Sequence, residues 1–137
     1  MKETTLKNVA IANLFDRLLQ LDTPPTKQGE TPVKNPYNFN AKTLFAFAKN
    51  LRILKQAVQD LEDTKAKILE KYRVEGETKI KDEDLAKAQI EFNEVLNAPV
   101  QLSFHELNVN ELNLGANQIP FIILDELLAS FVVGEPS

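Results

Sequence analysis

Apolar residues in the first part of the chain recur at steps of three or four, as they do on one face of a helix. Thr4 or Thr5 can cap the first turn, because each has a side-chain oxygen that can accept a hydrogen bond from a free backbone N–H group. The spacing predicts a first helix over residues 4–22. Its apolar positions are Leu6, Val9, Ala10, Leu14, Leu18 and Leu21.

The next periodic stretch is longer and predicts a helix over residues 41–72, with Asn40 as its cap. Steps of three and four alternate for about four heptads, with Lys65 as an interruption, which is typical of a coiled coil or a long helical hairpin. At 1.5 Å per residue the helix is about 48 Å long, more than a compact domain of this size needs. Part of its apolar stripe therefore needs a partner, in this chain or another. The stripe consists of Leu44, Phe47, Leu51, Leu54, Val58, Leu61, Ile68 and Tyr72.

A turn over residues 73–82 is expected to reverse the chain, and Asp82 can cap a third helix over residues 82–97. This helix is predicted to fold back antiparallel on the long one. It has only about four turns against about nine. The first half of the long helix is therefore expected to pack against the N-terminal helix, the C-terminal helix or another subunit.

The period then changes to two, which predicts short strands over residues 100–109. Val100, Leu102 and Phe104 alternate with polar residues, and the parity slips before Leu107, as a bulge or a turn would produce. An isolated pair of strands is marginally stable. We therefore expect the pair to lie on helices or to extend a sheet in a neighbouring molecule.

A last helix is predicted over residues 118–133, with Pro120 in its first turn. Apolar side chains surround nearly all of it, so it is either buried or an interface. The predicted fold is mainly α with a small β-element (α+β). It is a single domain in which a long helical hairpin packs with the N- and C-terminal helices and a short antiparallel β-pair.

Residues 23–40 contain four of the seven prolines, and proline both lacks a backbone donor and disfavours helix in the residue before it. They are predicted to form a long surface loop. The loop is either a tolerated insertion or an arm that touches a partner, and the small entropic cost of long surface loops favours the first interpretation.

The net charge of −4 is unevenly distributed. Lys87 is the last basic residue, and the seven acidic residues after it give −7, whereas residues 1–87 hold 16 basic and 13 acidic residues and give +3. Either one region meets a negatively charged partner, or the two parts of the chain attract each other. The second interpretation is the simpler one.

Candidate chemistry is sparse. The chain has no cysteine, which excludes thiolate zinc sites, thiol nucleophiles and disulfides. His105 is the only histidine and is expected to face solvent, since its parity is opposite to that of Phe104. The four glycines are isolated, so no glycine-rich phosphate loop is present. We therefore expect no enzyme activity, no cofactor and no metal, and no small-molecule substrate is indicated.

No apolar run reaches the roughly 20 residues that span a bilayer, and the polar start is unlike a signal peptide. The expected location is the cytoplasm, without membrane association. Two surfaces are candidates for binding. The apolar surplus of the second and last helices predicts an interaction surface for a protein partner or for self-association. A flank of the long helix that carries basic residues predicts a weaker candidate for contact with nucleic acid. The apolar set is Leu44, Phe47, Leu51, Leu54, Phe121, Leu124, Leu128 and Phe131, and the basic strip is Lys49, Arg52 and Lys55.

Two stretches, LFAFAKNLRILKQAVQDLEDTKAKILEKY and FNEVLNAPVQLSFHELNVNEL, precede a closing apolar helix. In this order they resemble a widespread family of small proteins that tailed bacteriophages and prophages encode and that has no known function. The resemblance covers about residues 41–131, and residues 23–40 look like an insertion. It supplies no catalytic residues.

The apolar surplus of the second and last helices and the absence of an active-site set favour a non-enzymatic phage protein that acts through protein contacts, for example as an oligomeric virion or assembly accessory. The expected location is then the cytoplasm of the host cell, with association with the virion as a further option. Two alternatives remain open. One is a nucleic-acid-associated protein that uses the basic strip, and the other is an inhibitor of a host defence protein that uses the acidic C-terminal region.

Overall fold

A computed structural model describes residues 1–22, 29, 37–74 and 79–134. The described residues form the predicted class of fold, mainly α with small β-elements. The prediction for residues 23–40 falls largely outside them. In chain order the elements are β1 (Lys2–Lys7), α1 (Asn8–Asp22), α2 (Ala41–Tyr72), α3 (Asp82–Asn97), β2 (Pro99–Phe104), β3 (Leu107–Asn108), a 3-10 turn (Val109–Leu112), α4 (Phe121–Ser130) and β4 (Val132–Val133).

The N-terminal segment corrects the prediction of a helix over residues 4–22. Residues 2–7 form strand β1, which pairs antiparallel with β2, and the helix begins only at Asn8. Alternate residues of β1 are half-buried, and threonine favours a strand over a helix. Thr4 caps no helix, since its hydroxyl donates to the Ser130 carbonyl at 2.7 Å. The antiparallel pair is therefore present, but its second strand comes from the N-terminus.

The C-terminal segment also differs from its prediction, because α4 spans 121–130 and not 118–133. Pro120 is the residue before the first turn. At the other end, Val132 and Val133 form β4, which pairs in parallel with β3. The Leu107 amide donates to the Phe131 carbonyl at 3.1 Å. Pairing with this distant segment ends the helix where apolar periodicity alone would continue it.

Helices α2 and α3 form the predicted antiparallel hairpin. Asn40 caps α2, as predicted, by accepting a hydrogen bond from the Thr43 amide at 2.8 Å. A β-bridge between Arg73 and Ile80 closes the turn between the helices. Lys81 occupies the cap position of α3, so Asp82 lies in the first turn and is not the cap.

Four residues of the predicted α2 stripe are buried: Phe47, Leu54, Leu61 and Ile68. The buried face is nevertheless rotated away from Leu44. Leu44 is exposed, whereas Thr43 and Asn50, seven residues apart, are completely buried. Both polar side chains bind backbone groups of the segment that follows β2. The Asn50 amide nitrogen donates to the His105 carbonyl at 3.0 Å, and its oxygen accepts from the His105 amide at 2.8 Å. The Thr43 hydroxyl donates to the Glu111 carbonyl at 3.1 Å.

His105 is half-buried and does not face solvent as predicted. Its ring packs edge-on against Phe45, with a centroid distance of 6.3 Å. A third buried polar residue, Asn117, donates to the Leu112 carbonyl at 2.9 Å and accepts from the Asn38 amide at 2.7 Å. Buried side-chain amides thus hold the irregular segments on both sides of the 3-10 turn.

The apolar core lies between these segments and the helices. Phe131 is in the middle of it, with ring centroids 5.4 Å from Phe104 and 6.1 Å from Phe47. Helix α1 adds a complete apolar face, and α4 adds its inner face. These residues are Ile11, Leu14, Leu18, Leu21, Ile123 and Leu127. No helix within the described ranges has the length and apolar character that crossing a membrane requires.

We expect Asn50→Ala to lower the free energy of unfolding by about 2–4 kcal/mol, because it leaves the part-buried backbone N–H and C=O of His105 without their partners, at about 1–3 kcal/mol each. Lys67→Ala, at an exposed position of the same helix, is the matched control and should change little. Urea unfolding followed by circular dichroism measures both. Equal losses in the two variants would contradict the structural role of Asn50.

Candidate interaction surfaces

The structure divides the eight apolar residues that the sequence predicts as an interaction surface. Three are buried in the core: Phe47, Leu54 and Phe131. Leu51 and Leu124 are half-buried. The exposed members are Leu44, Phe121 and Leu128.

The outer face of α4 presents Phe121, Leu124 and Leu128 at a spacing of three and four residues. We call these three residues the α4 stripe. Phe121 is 82% exposed and Leu128 40%, whereas Ile123 and Leu127 on the inner face are buried. One helix therefore packs into the core on one side and offers apolar side chains on the other.

A small apolar pocket lies where the end of α1 meets the start of α2. Its volume is about 160 Å³, and each described residue that lines it is apolar or aromatic. Three of the predicted surface residues, Leu44, Phe47 and Leu51, are among them. The others are Leu18, Leu21, Tyr37, Phe39 and Ala48. Such a pocket can receive an aliphatic or aromatic side chain of a partner.

A larger groove of about 560 Å³ lies between α2 and strand β2, and Asn8 at the start of α1 and Val95 near the end of α3 also line it. Its floor is apolar and its rim is polar. The floor consists of Ile53, Ala57, Leu61, Val95, Val100 and Leu102, and the rim of Asn8, Arg52, Gln56, Asp60 and Thr64. We call it the α2–β2 groove. Sequence reasoning missed it, since it exists only because β1 and β2 pair beside the helix. The only sequence signal for the groove is the pair of apolar residues Ile53 and Ala57, which lie beside the predicted stripe of α2.

The basic strip lies along α2, with Arg52 and Lys55 exposed and Lys49 half-buried. The Lys49 ammonium lies 5.2 Å from the centre of the Phe45 ring, Arg52 is on the rim of the α2–β2 groove, and Lys55 is exposed. In the part of the chain that the structure describes, none of the three pairs with a carboxylate, whereas Lys42 lies 3.6 Å from Glu111.

Ion pairs connect the basic and acidic parts of the chain, as the simpler interpretation of the charge distribution predicts. Arg17 lies 3.4 Å from Glu126, Lys42 lies 3.6 Å from Glu111, and Lys71 lies 2.9 Å from Glu91. Opposite charges thus meet on different elements of the same molecule. Within the ranges described, no group of three histidine, cysteine, aspartate or glutamate side chains is placed to hold a metal ion.

The contact between Lys71 and Glu91 joins the two helices of the hairpin. The Tyr72 hydroxyl and the Lys71 ammonium lower the pKa of the Glu91 carboxyl below its ordinary value of 4.5. Glu91 in turn raises the pKa of Lys71 and that of Tyr72. The three groups thus stabilise each other when Glu91 is ionised and the other two are protonated.

No family model, curated protein or solved structure matches the chain in comparisons with known proteins.

A group with a lowered folded-state pKa adds stability above its ordinary pKa, and this stability is lost as the pH falls through the folded value. Wild-type protein should therefore lose stability more steeply than Glu91→Gln between about pH 5 and pH 3. The raised pKa values of Lys71 and Tyr72 add stability below about pH 10, and this stability is lost as the pH rises above that value. The effect should be small, since solvent screens exposed pairs.

Urea midpoints measured across this pH range test the prediction. Glu94→Gln removes an exposed carboxylate from the same helix and serves as the control. If the Glu91→Gln protein shows the same pH profile as wild type, the hairpin contact does not contribute to the acid dependence.

Proposed function

We propose that this chain is a non-enzymatic protein of a tailed bacteriophage or prophage and that it acts through protein–protein contacts, as an oligomeric virion or assembly accessory. Its locations are then the host cytoplasm and the virion. The observation that carries the proposal is the α4 stripe. The resemblance of residues 41–131 to small phage proteins supports the source.

The α4 stripe has the character of an interface core. Aromatic residues are enriched in such cores and charged residues are depleted. Phe121 projects most of its ring into solvent, and Leu124 and Leu128 continue the same face for two helical turns. Contact with a partner would remove this apolar area from water, at about 25 cal/mol per Å².

The apolar pocket between α1 and α2 supports the same function. Among the described residues that line it, the Tyr37 hydroxyl is the only charged or hydrogen-bonding side-chain group. A pocket of this chemistry selects an apolar side chain and offers little to a polar substrate. Leu44 at its edge is exposed, so a partner that enters the pocket would also cover Leu44.

We expect the wild-type protein to show, by light scattering, a mass that is a multiple of 15.5 kDa and does not change with salt. The double change Phe121→Ser and Leu128→Ser should lower that mass, while thermal stability changes little because both side chains are exposed. Ile90→Ser is the matched control, since Ile90 is 59% exposed on α3. A wild-type monomer at every concentration and salt would contradict the proposal.

A second candidate function is contact with nucleic acid through the basic strip. Three cations without carboxylate partners in the described part of α2 favour it. We then expect mixed-sequence DNA to bind, the affinity to fall steeply with salt, and the change Lys49→Glu, Arg52→Glu and Lys55→Glu to abolish binding. Lys67→Glu is the control on the same helix. A binding that is insensitive to salt would contradict this alternative.

The third candidate, inhibition of a host defence protein, depends on the acidic C-terminal region. Glu91, Glu111 and Glu126 are paired within the chain. These contacts leave fewer free carboxylates for a basic partner. The structure therefore adds no support for this alternative.

A further inference from the structure

The β1–β2 sheet has one edge whose backbone groups can be identified from the register. The Asn8 amide donates to the Ala98 carbonyl at 3.1 Å, so this pair is hydrogen-bonded. Hydrogen-bonded and non-hydrogen-bonded pairs alternate along an antiparallel ladder. Pro99, Gln101 and Ser103 of β2 therefore lie in non-hydrogen-bonded pairs, and their backbone groups point away from β1. Pro99, which has no N–H group, fits this position.

The Asn50 side chain already binds backbone groups that point to this side of the chain. The next residue of the same parity is His105, and its N–H and C=O groups are both taken by the Asn50 side chain. A single amide thus replaces a neighbouring strand at the end of β2. Among the described residues, the backbone groups of Gln101 and Ser103 have no partner on this side. Two N–H groups and two C=O groups remain available there.

The sequence of β2 does not protect this edge. Natural edge strands usually carry charged residues that prevent pairing with another chain. Strand β1 has three charged residues in KETTLK, whereas β2 has none in PVQLSF. Pro99 blocks only the first position. In the described part of the chain the sheet has only two strands, and its inner face packs on the core through Phe104, Val100 and Leu102.

The rim of the adjacent α2–β2 groove has opposite charges at its two ends. Arg52, Gln56 and Asp60 follow one another at steps of four on α2. A two-fold axis near the middle of this row would bring Arg52 of one molecule towards Asp60 of the other. The rim is therefore complementary in charge to a second copy of itself.

We propose that a second copy of the chain docks on the β2 edge, so that the two β2 strands pair antiparallel about a two-fold axis and form a continuous four-stranded sheet. Gln101 of each copy pairs with Ser103 of the other through four main-chain hydrogen bonds. The side chains that then face each other, Gln101 with Ser103 and Leu102 with Leu102, include no like charges. This inference rests on the proposed function and names the partner of one surface.

Ser103→Pro tests the proposal, because it removes an outward N–H group without removing a hydrogen bond to β1. We expect it to weaken dimerisation at least tenfold by light scattering. Ser103→Ala keeps the N–H group and removes the hydroxyl that binds Glu3, so the dimer should persist. Thr5→Pro, at the matching outward position of β1, should also remain dimeric. A dimer that survives Ser103→Pro would overturn the proposal.

Amide hydrogen exchange gives a second test that needs no variant. The Gln101 and Ser103 amides should exchange slowly in concentrated protein and become faster on dilution, while the Thr5 amide exchanges quickly throughout. Slow exchange of Gln101 and Ser103 in a monomer would overturn the proposal, since the edge would then be closed within one chain.

The two proposals fail in different ways. If the Phe121 and Leu128 double variant becomes monomeric and Ser103→Pro does not, the proposed docking on the β2 edge is wrong and the proposed function stands. If only Ser103→Pro becomes monomeric, the edge is supported and the α4 stripe is not the self-association surface. A wild-type protein that is monomeric in all conditions overturns both.

Discussion

The buried amide of Asn50 is the contact on which the arrangement of this molecule depends. A polar side chain without solvent exposure is costly unless its groups are hydrogen-bonded, and Asn50 bonds with both its oxygen and its nitrogen to one residue, His105. These two bonds place the end of β2 against the first half of α2. Other placements of the segment would leave the amide or the His105 backbone unpaired.

Several features follow from this placement. The end of β2 is held on α2. The α2–β2 groove is the space between the helix and the earlier residues of β2. The chain then continues into the 3-10 turn, where Thr43 binds the Glu111 carbonyl. Asn117 adds a third connection, to residues before α2. Three buried polar side chains thus hold a segment that has little regular structure of its own.

The same packing decides which apolar residues are left for binding. Phe131 packs between Phe47 and Phe104 with its ring inclined to both, and Ile123 and Leu127 of α4 face inward. Its outer stripe, Phe121, Leu124 and Leu128, is then exposed or half-buried. The β2 edge and the α4 stripe are separate surfaces, one made of backbone groups and the other of apolar side chains.

Local patterns were enough for the elements whose interactions are local. The period of residues 41–72, the Asn40 cap and the reversal into α3 all follow from neighbouring residues, and the sequence by itself determined them. In residues 2–7, by contrast, the pattern is compatible with both a helix and a strand. Only the partner strand β2, almost one hundred residues away, decides between them.

The remaining differences have the same physical cause. The sequence pattern could not distinguish the stripe through Leu44 from the one through Thr43 and Asn50, since the choice depends on His105 and Glu111. Val132 and Val133 leave the helix because β3 offers them hydrogen bonds. The strand register is needed to show that the backbone N–H and C=O groups of Gln101 and Ser103 point away from β1. Helix formation was determined within the sequence, and the surfaces were decided by tertiary pairing, because hydrogen bonds between distant segments outweigh local preference.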